Sequence, residues 1–144
     1  MNQDEIRFRV LSFRYEKYYE YGERPLFIEN IAIELKLNVD DSIIYRVITY
    51  LYDNNLVWGE KKLGDTYYPS QIRINENGID FVERVMNQTH DKTQDEALRQ
   101  KLKLLLNDAN PASRIRGFLD LTKSYSSLTG LVISVVRKFL KQKR

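Results

Sequence analysis

The apolar positions at the start of the chain repeat with helical spacing. From Asp4 to about Tyr21, Ile6, Val10, Phe13 and Lys17 fall at i, i+4, i+7 and i+11, and Leu11, Tyr15 and Tyr18 widen the apolar stripe. Gly22 and Pro25 follow, the residue types that stop a helix. A second helix is expected from about Ile28 to Lys36, burying Ile28, Ile31, Ala32 and Leu35. Leu37 and Asn38 begin a short turn. Asn38 or Asp40 can cap a third helix over about Asp41 to Asn54, whose Ile44, Val47, Ile48 and Leu51 face inward.

The period then changes from helical to two. Leu56-Val57-Trp58 is a short apolar run of β-favouring residues, Lys61 to Asp65 reads as a turn, and Gln71 to Asn75 alternates polar and apolar as a half-buried strand does. A two-stranded hairpin is predicted. Asn75 or Asn77 starts a fourth helix over about Gly78 to Asn87, with Ile79, Val82 and Val85 or Met86 inward. Gln88 to Gln94 holds no apolar residue and reads as a linker. Beyond it a helix is expected over about Gln94 to Asn107. A break at Asn107 to Pro111 follows, then a mostly helical segment from Ala112 to Arg144, interrupted at Gly117 or around Ser124 to Gly130. The expected fold class is mainly α with a small β-hairpin. The expected division is residues 1–88 and a helical extension, 89–144.

Helix, helix, turn, helix, hairpin, helix is the order of a winged helix-turn-helix followed here by C-terminal helices. The residues that carry the likeness run from Ile31 to Val57, IAIELKLNVDDSIIYRVITYLYDNNLV, with Ile-Ala and Leu in the second helix and Leu-Val after the third. Ile74 to Phe81 also matches the segment where the wing returns into the last helix. Asn75 stands where many members have Thr, and Asn caps equally well. Asn55 stands where members usually have Gly, and Asn is the next most tolerant of a left-handed backbone. Over about residues 5–87 the chain resembles winged-helix domains of bacterial and archaeal transcription regulators. The extension carries no such resemblance.

The resemblance implies double-stranded DNA as partner, a third helix in the major groove and a wing on backbone or minor groove. The outward positions of the third helix are Ser42, Ile43, Tyr45, Arg46, Thr49 and Tyr50. The candidate DNA-binding residues are Ser42, Tyr45, Arg46 and Thr49 on the helix, Lys61 and Lys62 at the wing tip, and Arg73 on the returning strand. Arg46 has the reach for a guanine edge or a phosphate. Each also has a plain structural explanation, a solvated helix face or lysines that blunt a hairpin edge.

Charge complicates this picture. The chain of 144 residues has net charge +3, but residues 1–88 hold 11 basic and 15 acidic residues while 89–144 hold 12 and 5. An acidic front is a poor phosphate ligand by itself, since nucleic-acid affinity rests largely on phosphate neutralisation. Acids near a helix start, such as Asp40 and Asp41, also serve its dipole. The many tyrosines of this part fit a core and a protein interface better than base stacking. A second reading is therefore an adaptor whose winged helix docks a partner protein, with the basic amphipathic tail engaging a partner or a membrane surface.

In the extension, Leu128, Leu131, Val132, Val135, Val136, Phe139 and Leu140 form an unbroken helical stripe, followed by Arg137, Lys138, Lys141, Lys143 and Arg144. The stripe can pack on the front domain or form a homodimer as regulators of this fold commonly do, it can lie on an anionic membrane, or the basic end can contact nucleic acid. Arg114 and Arg116, near the start of a helix, oppose its dipole and call for acidic partners, for which the front domain is a source.

Catalysis is not expected. Cysteine is absent, His90 is the one histidine, and no glycine-rich phosphate loop occurs, so neither the common metal sites nor thiolate chemistry can be built. No cofactor is expected. Lack of a secretory leader and of ~18 consecutive apolar residues points to a cytoplasmic protein.

Overall fold

The computed structural model describes residues 2–21, 26–60 and 71–142, with side chains described except at 21, 26–30, 32 and 142. The order of elements is α1 (Gln3–Tyr21), β1 (Leu26–Phe27), α2 (Ile28–Leu35), α3 (Asp41–Asp53), β2 (Val57–Glu60), β3 (Gln71–Ile74), α4 (Glu76–Lys92), α5 (Glu96–Leu106), α6 (Pro111–Ser124) and α7 (Ser126–Gln142). The protein is mainly α-helical with a small antiparallel hairpin. The two-residue β1 adds a third strand, so the sheet order is β1-β3-β2 with both pairings antiparallel. With two residues, β1 is too short to show a period, and the hydrophobic pattern does not predict it. The expected stop at Gly22 and Pro25 lies outside the described residues.

α3 forms as its spacing predicts, with Ile44, Val47, Ile48 and Leu51 buried. Asp40 is its N-cap residue, but through its carbonyl, which accepts from Ile43 and Ile44; its side chain makes no cap bond. In the α2 face, Ile31 is buried and Leu35 half-buried, while Ile28 and Ala32 have no described side chains.

α1 departs most from its one-sided pattern. Ile6, Val10, Leu11 and Tyr15 are buried as expected, but so are Phe8, Ser12 and Arg14. The reason is a second layer: α6 and α7 cover the side of α1 that α3 and α4 leave open. Phe8 meets Phe118 of α6 edge to face, with ring centroids 6.2 Å apart. Phe81 of α4 meets Phe139 of α7 in the same way, also at 6.2 Å.

The expected linker at Gln88 to Gln94 is a correction. α4 runs on through Lys92, and Thr89 and Thr93 are buried. Their hydroxyls donate back to the helix, Thr89 Oγ1 to the Val85 carbonyl at 2.7 Å and Thr93 Oγ1 to the Thr89 carbonyl at 2.6 Å. A threonine whose hydroxyl is satisfied by its own helix can sit in an apolar contact, which a count of apolar residues misses. His90 therefore lies in the last turn of α4, 3.1 Å from Asp91.

The apolar stripe of α7 is engaged within the chain. Leu128, Val132, Val135, Val136, Phe139 and Leu140 are buried in the same hydrophobic cluster as Ile6, Leu11 and Phe81. The break in the last segment falls at Tyr125; Gly117 lies inside α6, where a Cβ would meet Leu105 Cδ1 at 2.2 Å. Among the described residues no helix is long and apolar enough to cross a membrane.

Candidate nucleic-acid interface

Packing of α3 by Ile44, Val47, Ile48 and Leu51 turns one edge of the helix outward. Ser42 and Arg46 are exposed and Thr49 is half-buried, and these three stand at i, i+4 and i+7, one line along the helix. Arg46 makes no hydrogen bond or ion pair among the described residues, and its side chain is exposed. Tyr45 is half-buried and packs on the core, as do Ile43 and Tyr50, which were read as outward. Tyr50 turns towards α1, where the Arg7 guanidinium lies 3.6 Å from its ring centroid. The outward edge is thus narrower than the periodicity suggested. Exposed Asp41 and Asp53 stand at its two ends.

The hairpin is set against α3 by asparagines. Asn55 closes the turn in a left-handed conformation, φ 56°. The Asn75 side chain accepts from Gly78 N at 2.9 Å, capping α4, and donates to the Asn55 carbonyl at 2.8 Å. Asn77 donates to the same carbonyl at 3.2 Å. Gly78 is required here, because a Cβ would come within 2.2 Å of the Leu56 carbonyl oxygen. Asn75 is buried, so Asn75→Ala removes a cap and strands the Gly78 amide. A loss of about 2 kcal/mol is expected in urea unfolding. An unchanged midpoint would show that the turn holds without it.

On the hairpin, Arg73 is exposed and also has no hydrogen-bond or ion-pair partner among the described residues. Directly opposite it on β2 is Trp58, 60 % exposed. Sequence reading absorbed Trp58 into an apolar run. The usable signal was parity: Val57 faces the core, so its neighbour must face out. Lys61 and Lys62 lie outside the described residues. The structure thus brings Ser42, Arg46 and Thr49 together on α3 and places Arg73 on β3.

The basic surplus of the extension is partly neutralised inside the chain. Arg114 Nη2 lies 3.7 Å from Glu83 Oε2, Arg116 pairs with Glu20 at 3.1 Å and lies 3.8 Å from Glu16, and Arg137 donates to Asp4 at 3.0 Å. Arg114 and Arg116 meet the front acids that their place in the helix called for. Tyr15 donates to Glu83 at 3.1 Å, and burial pushes its hydroxyl well above the usual range, so it stays protonated. Lys92 and Lys138 remain exposed, and the Lys138 charge lowers the Lys92 ammonium.

A groove of about 610 Å³ lies between α1, the end of α2, α6 and α7. Acids and bases balance along its walls, and Arg116 there is already held by Glu16 and Glu20. Among the described residues no cluster of metal-ligating side chains occurs. No protein-family model, curated protein or solved structure matches the chain.

Proposed function

We propose that the chain is a cytoplasmic winged-helix DNA-binding protein that acts in transcription regulation. α2 and α3 form the helix-turn-helix, and the β2–β3 hairpin is the wing. The observation that carries the reading is the exposed Arg46 on the outward edge of α3, in line with Ser42 and Thr49, beside a hairpin that presents Arg73. A guanidinium with no partner among the described residues is available for a guanine edge or a phosphate. Arg46 is the lead contact, Ser42 and Thr49 flank it, and Arg73 takes backbone phosphate. Lys61 and Lys62 are further candidates for phosphate contact by their charge. Tyr45 supports the helix from its half-buried position.

A dimer through the α7 stripe is not part of this proposal, because that stripe is buried within the chain. The same burial removes the apolar face that membrane contact by α7 needs. A second reading has one observation in its favour. Exposed Asp41 and Asp53 flank Arg46, and such a mixed edge suits a protein partner with complementary charge.

Titration of the full chain with duplex DNA across a salt series separates the two. On the DNA reading, affinity falls steeply with salt, and Arg46→Ala weakens it about tenfold or more without lowering thermal stability. Duplex binding that Arg46→Ala leaves untouched removes the site assignment. Absence of binding at moderate salt leaves the protein-docking reading.

A further inference from the structure

We propose that Trp58 and Arg73 form a subsite for an unpaired nucleotide, the indole stacking on its base and the guanidinium holding its phosphate. The inference rests on the nucleic-acid reading above and adds the kind of nucleic acid.

The geometry begins with strand parity. Val57, Ile72 and Ile74 are buried under the hairpin, so Trp58 and Arg73, which face each other across the ladder, are fixed on the opposite face. Burial of those three side chains keeps the indole from turning inward. Trp58 is the sole tryptophan of the chain and is 60 % exposed. Among the described residues neither is engaged by another: no ring contact covers the indole, and no acid holds the guanidinium. Glu60, on the same face, stands opposite Gln71 and has an interaction of its own.

The chemistry of this pair selects its partner. Among the described side chains of that face, the neighbours of Trp58 are polar: Glu60, Gln71 and Arg73. The core of a protein interface needs contiguous apolar area, whereas a single flat ring matches a single base. The cation beside it supplies the contact that a nucleotide adds to its base. Stacking also gives affinity where charge is scarce, and residues 1–88 carry more acids than bases. Within a duplex, each base face is covered by its neighbours. An indole reaches a base only where a nucleotide is unpaired. β2 begins four residues after α3 ends, and Leu56 N donates to the Leu51 carbonyl at 2.9 Å, so the subsite adjoins the helix proposed to meet duplex. The matching ligand is a duplex with an unpaired nucleotide.

Trp58 is its own reporter. The full chain is titrated with a duplex and with the same duplex bearing one bulged thymidine, and tryptophan emission and affinity are read together. The bulged duplex is expected to bind about five- to a hundredfold tighter and to quench the emission. Trp58→Ala abolishes the preference while plain-duplex binding persists, and Trp58→Phe retains part of it. Equal affinity for the two duplexes with unchanged emission overturns the subsite and leaves the DNA reading in place. Failure of both duplexes to bind overturns both.

Discussion

A chain cut after Thr93 is expected not to fold. Eleven of the thirty buried apolar residues among those described lie beyond that point, from Leu98 to Leu140. Their loss uncovers α1 and α4. Phe8 loses the Phe118 ring and Phe81 loses the Phe139 ring. Re-exposing each aromatic costs about 1.5–3 kcal/mol, against a total stability of about 5–15 kcal/mol for a domain. Glu83 and Asp4 also lose their ion pairs with Arg114 and Arg137. Circular dichroism of the shortened chain should show weak helix and no cooperative melting transition. A sharp transition within a few degrees of the full chain would mean that the front segment is autonomous and the extension merely leans on it.

Among single substitutions, Phe118→Ala is expected to cost most, about 3–5 kcal/mol. Phe118 is fully buried in α6 and packs edge-on against Phe8, so the substitution opens a cavity where the extension meets α1. For a chain of this size the melting temperature should fall by roughly 6–20 °C. Leu104 is the control: it lies on α5 at 74 % exposure, and Leu104→Ala should change stability by no more than about 0.5 kcal/mol. Comparable losses for the two would contradict the placement of α6 against α1.

These two results bear on what the sequence could and could not disclose. α3 and the hairpin were legible because each has a single buried face, and a single face imprints one period on its residues. Ile44, Val47, Ile48 and Leu51 keep the helical period, and Ile72 and Ile74 keep the strand period. α1 was legible only in part. A helix covered on two sides has no clean polar face, and its second face here includes Phe8 together with the polar Ser12 and Arg14. The continuation of α4 through Thr89 was hidden for a related reason, since a hydroxyl returned to the Val85 carbonyl makes a polar residue behave as a buried one. Long-range pairs such as Arg116 with Glu20 have no local signature beyond the misfit of an arginine early in a helix.

The candidate site divides in the same way. Ser42, Arg46 and Arg73 follow from knowing which face is buried, and all three are exposed. Tyr50 does not follow, because its direction is set by Arg7, a residue on another helix. Trp58 was hidden by its chemistry. An aromatic after Leu56 and Val57 reads as more core, and only the parity of β2 turns it outward.

The most direct test of the functional claim is to map the amide chemical shifts of the full chain on addition of duplex DNA at low salt. The perturbed amides are expected to cluster along the outward edge of α3, from Ser42 through Arg46 to Thr49, and on the β2–β3 hairpin around Arg73. Perturbations confined to α7 and the end of α4, around Lys138 and Lys92, would contradict the claim, because the duplex would then sit on the basic extension and leave α3 unused.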